Sequence, residues 1–180
     1  MKKKKNASLW GEIFSWCKYI AAALAVALFI NNAVIVNAVV PSGSMADTIS
    51  IGDRIIGSRL AYVFSPPARG DVILFSFPDN ESEQYIKRIV GLPGETIRIV
   101  EGRVYVDEAE EPLEEPYLME PPLGSFGPFS VPDECYFVLG DNRNDSYDSR
   151  FWEHPYVRRN QIRAKADFCY YPHPYSFDNN

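Results

Sequence analysis

From Tyr19 to Val40 the chain runs for 22 residues without a charge, a glycine or a proline (YIAAALAVALFINNAVIVNAVV). A helix needs about 20 mostly apolar residues to cross the hydrocarbon core of a bilayer, so this pattern predicts one transmembrane helix. Three amides interrupt it. Asn37 falls where an interface would be. Asn31 and Asn32 lie deeper, where an unsatisfied amide is costly. They need a partner, or a helix that sits lower and uses Ile13–Ile30. The anchor is placed at residues 13–40, preceded by a basic tail over 1–12.

After Pro41 the pattern changes to short runs of β-branched and aromatic residues, separated by glycine, proline and aspartate. Strands are predicted at Arg54–Ser58, Asp71–Phe77, Ser82–Val90, Thr96–Glu101, Arg103–Val106, Glu134–Leu139 and Ile162–Tyr170, with Glu101-Gly102-Arg103 as a hairpin turn. Residues 107–132 are rich in Glu and Pro and read as a long extended excursion over the surface, a short insert. The fold class that follows is mostly β: an antiparallel β-sheet core, barrel or sandwich, over residues 41–180, carried by one N-terminal transmembrane helix.

Charge sharpens this division. The net charge is -6. Residues 1–40 hold five lysines against Glu12, leaving 13 basic and 23 acidic side chains for the rest. Lysine clusters stay on the cytoplasmic side, so Lys2 to Lys5 predict a single-pass plasma-membrane protein with its N-terminus inside and its β domain outside. A cleaved signal peptide, ending near Asn37-Ala38-Val39, is the rival reading. A buried soluble helix fits the length and the flanking lysines poorly. The acidic balance argues against a nucleic-acid partner, which requires a concentrated basic face. Three cysteines give no disulfide framework. Cys135 and Cys169 read as buried thiols, with a bridge between them left open.

The chemistry is constrained by having two histidines. His154 and His173 each precede a proline in a polar stretch, a poor setting for a catalytic base. They and Cys169 are too few and too scattered for a zinc site. No phosphate-binding or dinucleotide glycine pattern occurs. Pro41-Ser42-Gly43-Ser44-Met45 follows the apolar segment directly; Gly43 permits a tight turn on which two hydroxyls could converge. Tyr85-Ile86-Lys87-Arg88-Ile89-Val90 reads as a strand with Tyr85, Lys87 and Ile89 on one face. If that face is buried, desolvation lowers the lysine pKa, and a neutral lysine can activate a serine without histidine. An edge-strand lysine that discourages aggregation is the plainer alternative. The segment from Phe137 to Trp152 runs from an apolar strand into a dense polar loop able to buttress a site.

Taken in order, PSGSM, GDRII, RGDVILF, YIKRIVGLPGE and FVLGDNRNDSYDSR after an apolar helix resemble the bacterial type I signal peptidases, membrane-bound Ser-Lys endopeptidases. The resemblance covers nearly the whole chain. It implies that Ser44 is the nucleophile and Lys87 its general base. Ser42 would join the Ser44 N–H in the oxyanion hole, and Ser146 would orient the lysine. Asp148 and Arg150 would brace the site as an ion pair, with Tyr85 and Val138 packed around the lysine. No cofactor or metal is implied. The implied partners are signal peptides of secreted preproteins, membrane lipid and, by proximity, the protein export channel. Two positions depart from the family pattern: Asp47 replaces a proline, and Glu153 replaces a glycine after Phe151-Trp152. They leave open an inactive, partner-binding relative. Another Ser-Lys peptidase, of the self-cleaving SOS repressor type, lacks support, since the chain has a membrane segment and no DNA-binding domain.

Overall fold

The computed structural model describes residues 9–46 and 48–177. Asp47 and the lysines at positions 2–5 lie outside the described residues. Helix α1 (Leu9–Phe29) continues into a π-helical turn (Ile30–Val34), which runs straight into strand β1 (Ile35–Val39). The apolar run is therefore two elements, with Asn31 and Asn32 in the turn that joins them. The helical part matches the lower-sitting option: Gly11–Val34 has a mean hydropathy of 2.0 and buries none of its length against the protein. β1 is strand because it has somewhere to pair. Five of its residues lie in antiparallel register with β2 (Arg54–Ser58), from Ile35↔Ser58 to Val39↔Arg54.

The remaining strands are β3 (Val72–Phe77), β4 (Asn80–Gly91), β5 (Thr96–Val100), β6 (Arg103–Val106), β7 (Phe126–Ser130), β8 (Cys135–Leu139), β9 (Val157–Arg158), β10 (Ile162–Tyr171) and β11 (Tyr175–Ser176). The large sheet has the order β1-β2-β10-β3-β4-β8-β9, with β11 on β10, and a small sheet has the order β6-β5-β7. Every pairing is antiparallel. The β5–β6 hairpin turns at Glu101 and Gly102, both at positive φ (49° and 81°), the geometry whose twist matches the flanking strands.

β7 falls inside the segment expected to be a surface excursion. Pro121, Pro122 and Pro128 obscure it in the sequence, but β7 is an edge strand, where a missing N–H is tolerated. Nor is the rest of that segment wholly superficial: Leu113 packs against the core cluster of the small sheet. The cysteines are free, with Cys169 buried and Cys135 half-buried, so no Cys135–Cys169 bridge forms.

β4 positions the site. Its two faces pack into different cores, as the period of two dictates. Ile86 joins the cluster of Val40, Met45, Ile55 and Leu74. Ile89 and Tyr85 join Ile73, Phe75, Phe77, Val138 and Trp152. β8 pairs with β4 only from Arg88 onward, whereas β3 pairs with it back to Asn80. Among the described residues, the outer edge of β4 before Arg88 is thus left without a strand partner.

Candidate active site

The Ser42–Ala46 turn starts where β1 ends. Val40 N–H donates to Asp53 O (3.0 Å) and Gly52 N–H to Val40 O (2.8 Å), which closes the loop between β1 and β2. Met45 and Ile49 are buried in the core and pull the turn inward. Ala46 N–H donates to Gly43 O (3.0 Å). Ser44 is thereby buried, and its Oγ lies 3.5 Å from Ser42 Oγ.

Lys87 comes from β4, 43 residues away, and its Nζ lies 2.5 Å from Ser44 Oγ. Lys87 is 3% exposed. Its strand face is apolar: Ile73 opposes it on β3, and Tyr85 and Ile89 flank it. Burial pushes its pKa down from 10.5 to about 8; Asp148 and then Asp141 pull the other way, while Arg150 adds to the depression. No carboxylate forms an ion pair with Lys87 among the described residues. The arrangement provides a hydroxyl next to an amine whose pKa burial brings down to about 8, which is the requirement for nucleophilic catalysis without histidine.

The polar loop after β8 wraps this pair. Asp148 accepts from Gly140 N–H (3.0 Å) and pairs in two-pronged fashion with Arg150 (2.8 and 2.9 Å), both side chains buried. Arg150 also donates to Arg143 O (2.7 Å). Val138 is buried opposite Ile89, two residues along β4 from Lys87. Ser146 is buried beside these groups, and its Oγ has no hydrogen-bond partner, Lys87 included. Gly140 is obligatory here. A Cβ on it would sit 2.2 Å from Ser146 Oγ and 2.4 Å from Ser44 O.

The site opens into a cleft of about 390 Å³ lined by Pro41, Ser42, Ser44, Tyr85, Lys87 and Tyr147, among others. A smaller cavity of about 130 Å³ adjoins it, between Ala38–Pro41 and Gln84–Ile86. The two cavities together lie between the end of β1 with Pro41–Ser44 and residues Gln84–Lys87 of β4.

Comparison with known proteins decides the family. The model of the family described as signal peptidase, peptidase S26, matches residues 13–171. The chain belongs to this family. It is 41% identical over 162 residues to signal peptidase I of Leptolyngbya laminosa, covering 86% of this chain and 78% of the relative. It is 38% identical over 180 residues to probable signal peptidase I-2 of Synechocystis, covering 96% and 79%. Signal peptidase I S of Bacillus subtilis is 32% identical over 181 residues, covering 94% and 95%. The protein is accordingly a serine endopeptidase of the signal peptidase type, with an N-terminal apolar helix that suits membrane anchoring.

Several residues of this signal peptidase's site escaped the sequence reading. Asn142 donates from Nδ2 to Gly43 O (3.0 Å) and from its backbone to Ser44 O (3.1 Å), gripping the serine turn twice. Arg88, 1% exposed, pairs with buried Asp141 (2.9 and 2.7 Å), which also accepts from Thr48 Oγ1. Asp141 and Asn142 stand in the loop the sequence had singled out, but nothing there tells which polar residue faces which neighbour. The departure at Glu153 is absorbed locally. Asp79 accepts from the backbone N–H groups of Glu153 (3.0 Å) and His154 (2.8 Å), holding the turn in the glycine's absence.

Proposed function

We propose that this peptidase removes signal peptides from exported preproteins by Ser-Lys acyl-enzyme chemistry at the outer face of the plasma membrane. The observation that carries the reading is the buried Lys87 amine 2.5 Å from Ser44 Oγ, beside an unpaired strand edge. Neutral Lys87 takes the Ser44 proton as Oγ attacks the scissile carbonyl. The Ser44 N–H and the Ser42 hydroxyl hold the oxyanion, each such donor being worth about 3 kcal/mol of barrier. Protonated Lys87 then passes its proton to the departing amine. In the second half Lys87 deprotonates a water as it attacks the acyl-enzyme, then returns that proton to Ser44 Oγ as the ester bond breaks and the signal peptide leaves with a new carboxylate. Asp148 and Arg150 brace the loop, and Ser146, buried against Gly140 without a hydrogen bond to Lys87, is assigned the part of orienting the amine as it changes protonation.

The substrate adds as a strand in the gap between β1 and β4, bonded through main-chain groups. The small cavity by Ala38–Pro41 and the neighbouring cleft then receive small side chains on alternate positions, selecting residues such as alanine before the cut. Membrane placement draws support from the apolar helix and from the loop at its foot. Arg59 N–H donates to Val34 O (2.8 Å), and the following residues Leu60, Val63 and Phe64 are exposed, Phe64 by 96%. Such a loop suits a lipid interface, and this location brings the enzyme near the export channel that delivers its substrates.

The test is incubation of the full-length protein in lipid vesicles with a model preprotein, followed by N-terminal sequencing of the product. Wild type cuts at the end of the signal peptide and Ser44→Ala leaves the preprotein intact. Equal cutting by both would refute the dyad.

A further inference from the structure

The loop after β8 faces in two directions. Asp141 and Asn142 face the serine turn, through Thr48, Gly43 and Ser44. Arg143 and Asn144 face the other way, into the insert. Arg143 donates from both terminal nitrogens to Glu115, one bond at 3.0 Å, and from Nε to Gly140 O (3.1 Å). Asn144 donates to Glu120 (2.7 Å) and accepts from Leu123 N–H (2.9 Å). The loop is held between the insert and the nucleophile.

The grip of the insert is concentrated in one place. The Glu115 and Arg143 side chains are 6% and 2% exposed, whereas Met119 and Leu123 nearby are 80% and 70% exposed. Tyr117 donates its hydroxyl to Glu115 (2.7 Å) and lays its ring 4.0 Å from the Arg88 guanidinium, the partner of Asp141. Two residues of the insert thus touch both buried ion pairs that flank Asn142. A buried ion pair adds little stability over an apolar pair of the same size, so its use here points to geometry.

We propose that Glu115 is a positioning residue for the nucleophile, acting through Arg143 and Asn142. With Arg143 fixed from outside, Asn142 pins the carbonyls of Gly43 and Ser44. The Ser44 N–H and Oγ then keep one orientation toward Lys87. The proposal rests on Ser44 as the nucleophile and gives the insert a part in turnover. Misplacing a reacting group by about 1 Å costs on the order of a hundredfold in rate, so a loosened pin is read in kcat.

The experiment is a double-mutant cycle on the full-length enzyme in vesicles, with a model preprotein. Glu115→Gln keeps the shape and removes the charge; kcat falls by about ten- to a hundredfold with KM held. Asn142→Ala lowers kcat similarly, and the double variant falls no further than Asn142→Ala alone, because both changes break one linkage. Additive losses overturn the proposal. So does a Glu115→Gln enzyme that melts earlier yet keeps its kcat while folded. If Glu115→Gln does not fold, Glu115→Asp, which keeps the charge one methylene short, passes through the same cycle with the same readings. Ser44→Ala separates the two claims. If it still cleaves, the nucleophile assignment and this inference fall together; if it is silent while the cycle is additive, the inference alone falls.

Discussion

Lys87 and Arg88 are neighbours on β4, both almost wholly buried, yet their charges are treated in opposite ways. Arg88 meets Asp141 in a two-pronged ion pair, while Lys87 meets the Ser44 hydroxyl and an apolar face. One strand thus sends an ion-paired cation to one side and an amine without an ion pair to the other by the alternation of its side chains alone.

The first prediction is a pH profile. In the proposed mechanism neutral Lys87 accepts the serine proton, and its pKa is lowered to about 8, chiefly by burial. With lysine as the base, kcat/KM rises about tenfold per pH unit below 8 and levels off above it. A profile that stays flat from about pH 6 to 8 excludes Lys87 as the base.

Lys87→Met tests the energetic side of the same feature. The folded pKa is depressed, so the unfolded chain binds the proton more tightly and stability rises with pH between about 8 and 10.5. Below about 8 the burial penalty is present in full, up to about 3 kcal/mol. At pH 7 the methionine variant is therefore inactive and melts at a higher temperature than wild type. A lower melting temperature would show that the Ser44 contact outweighs the desolvation.

Ser42→Ala removes one of the two proposed oxyanion donors and leaves Ser44 and Lys87 in place. The expected loss is about 10²–10³ in kcat with KM little changed. A loss confined to KM, measured with a model preprotein, would place the Ser42 hydroxyl in substrate binding.

Asp148→Asn strips the partner from buried Arg150 and removes a charge that raises the Lys87 pKa. Leaving an unpaired buried guanidinium costs about 3–5 kcal/mol, seen in denaturant melts. In the fraction that stays folded, the acid limb of the activity profile moves to lower pH. A limb that does not move would remove Asp148 from the electrostatics of the lysine.

Much of this architecture was legible in the chain because it follows from short periods. The β-branched and aromatic run Val72–Phe77 and the segment Tyr85–Val90 set strands, the period of two sets the faces of the latter, and the Glu101-Gly102 turn sets a hairpin. Residues Ile35–Val39 were not, since an apolar β-branched run reads equally as helix or strand until β2 is there to pair with it. Likewise β7, broken by Pro128, shows itself only against β5. At the site, Ser44 and Lys87 stand out through their motifs. Glu115 looks like any acid in a Glu-rich stretch, and its burial depends on Arg143, 28 residues away. Long-range pairing of charges leaves no local trace.

The joint between α1 and β1 has a final consequence. The π-helical turn passes directly into a strand locked to β2, so no spacer separates anchor from catalytic domain. A helix seated in a thicker bilayer has no slack to release. On the proposed membrane placement the domain would travel with it, and acyl-chain length would set how far Ser44 stands from the headgroups.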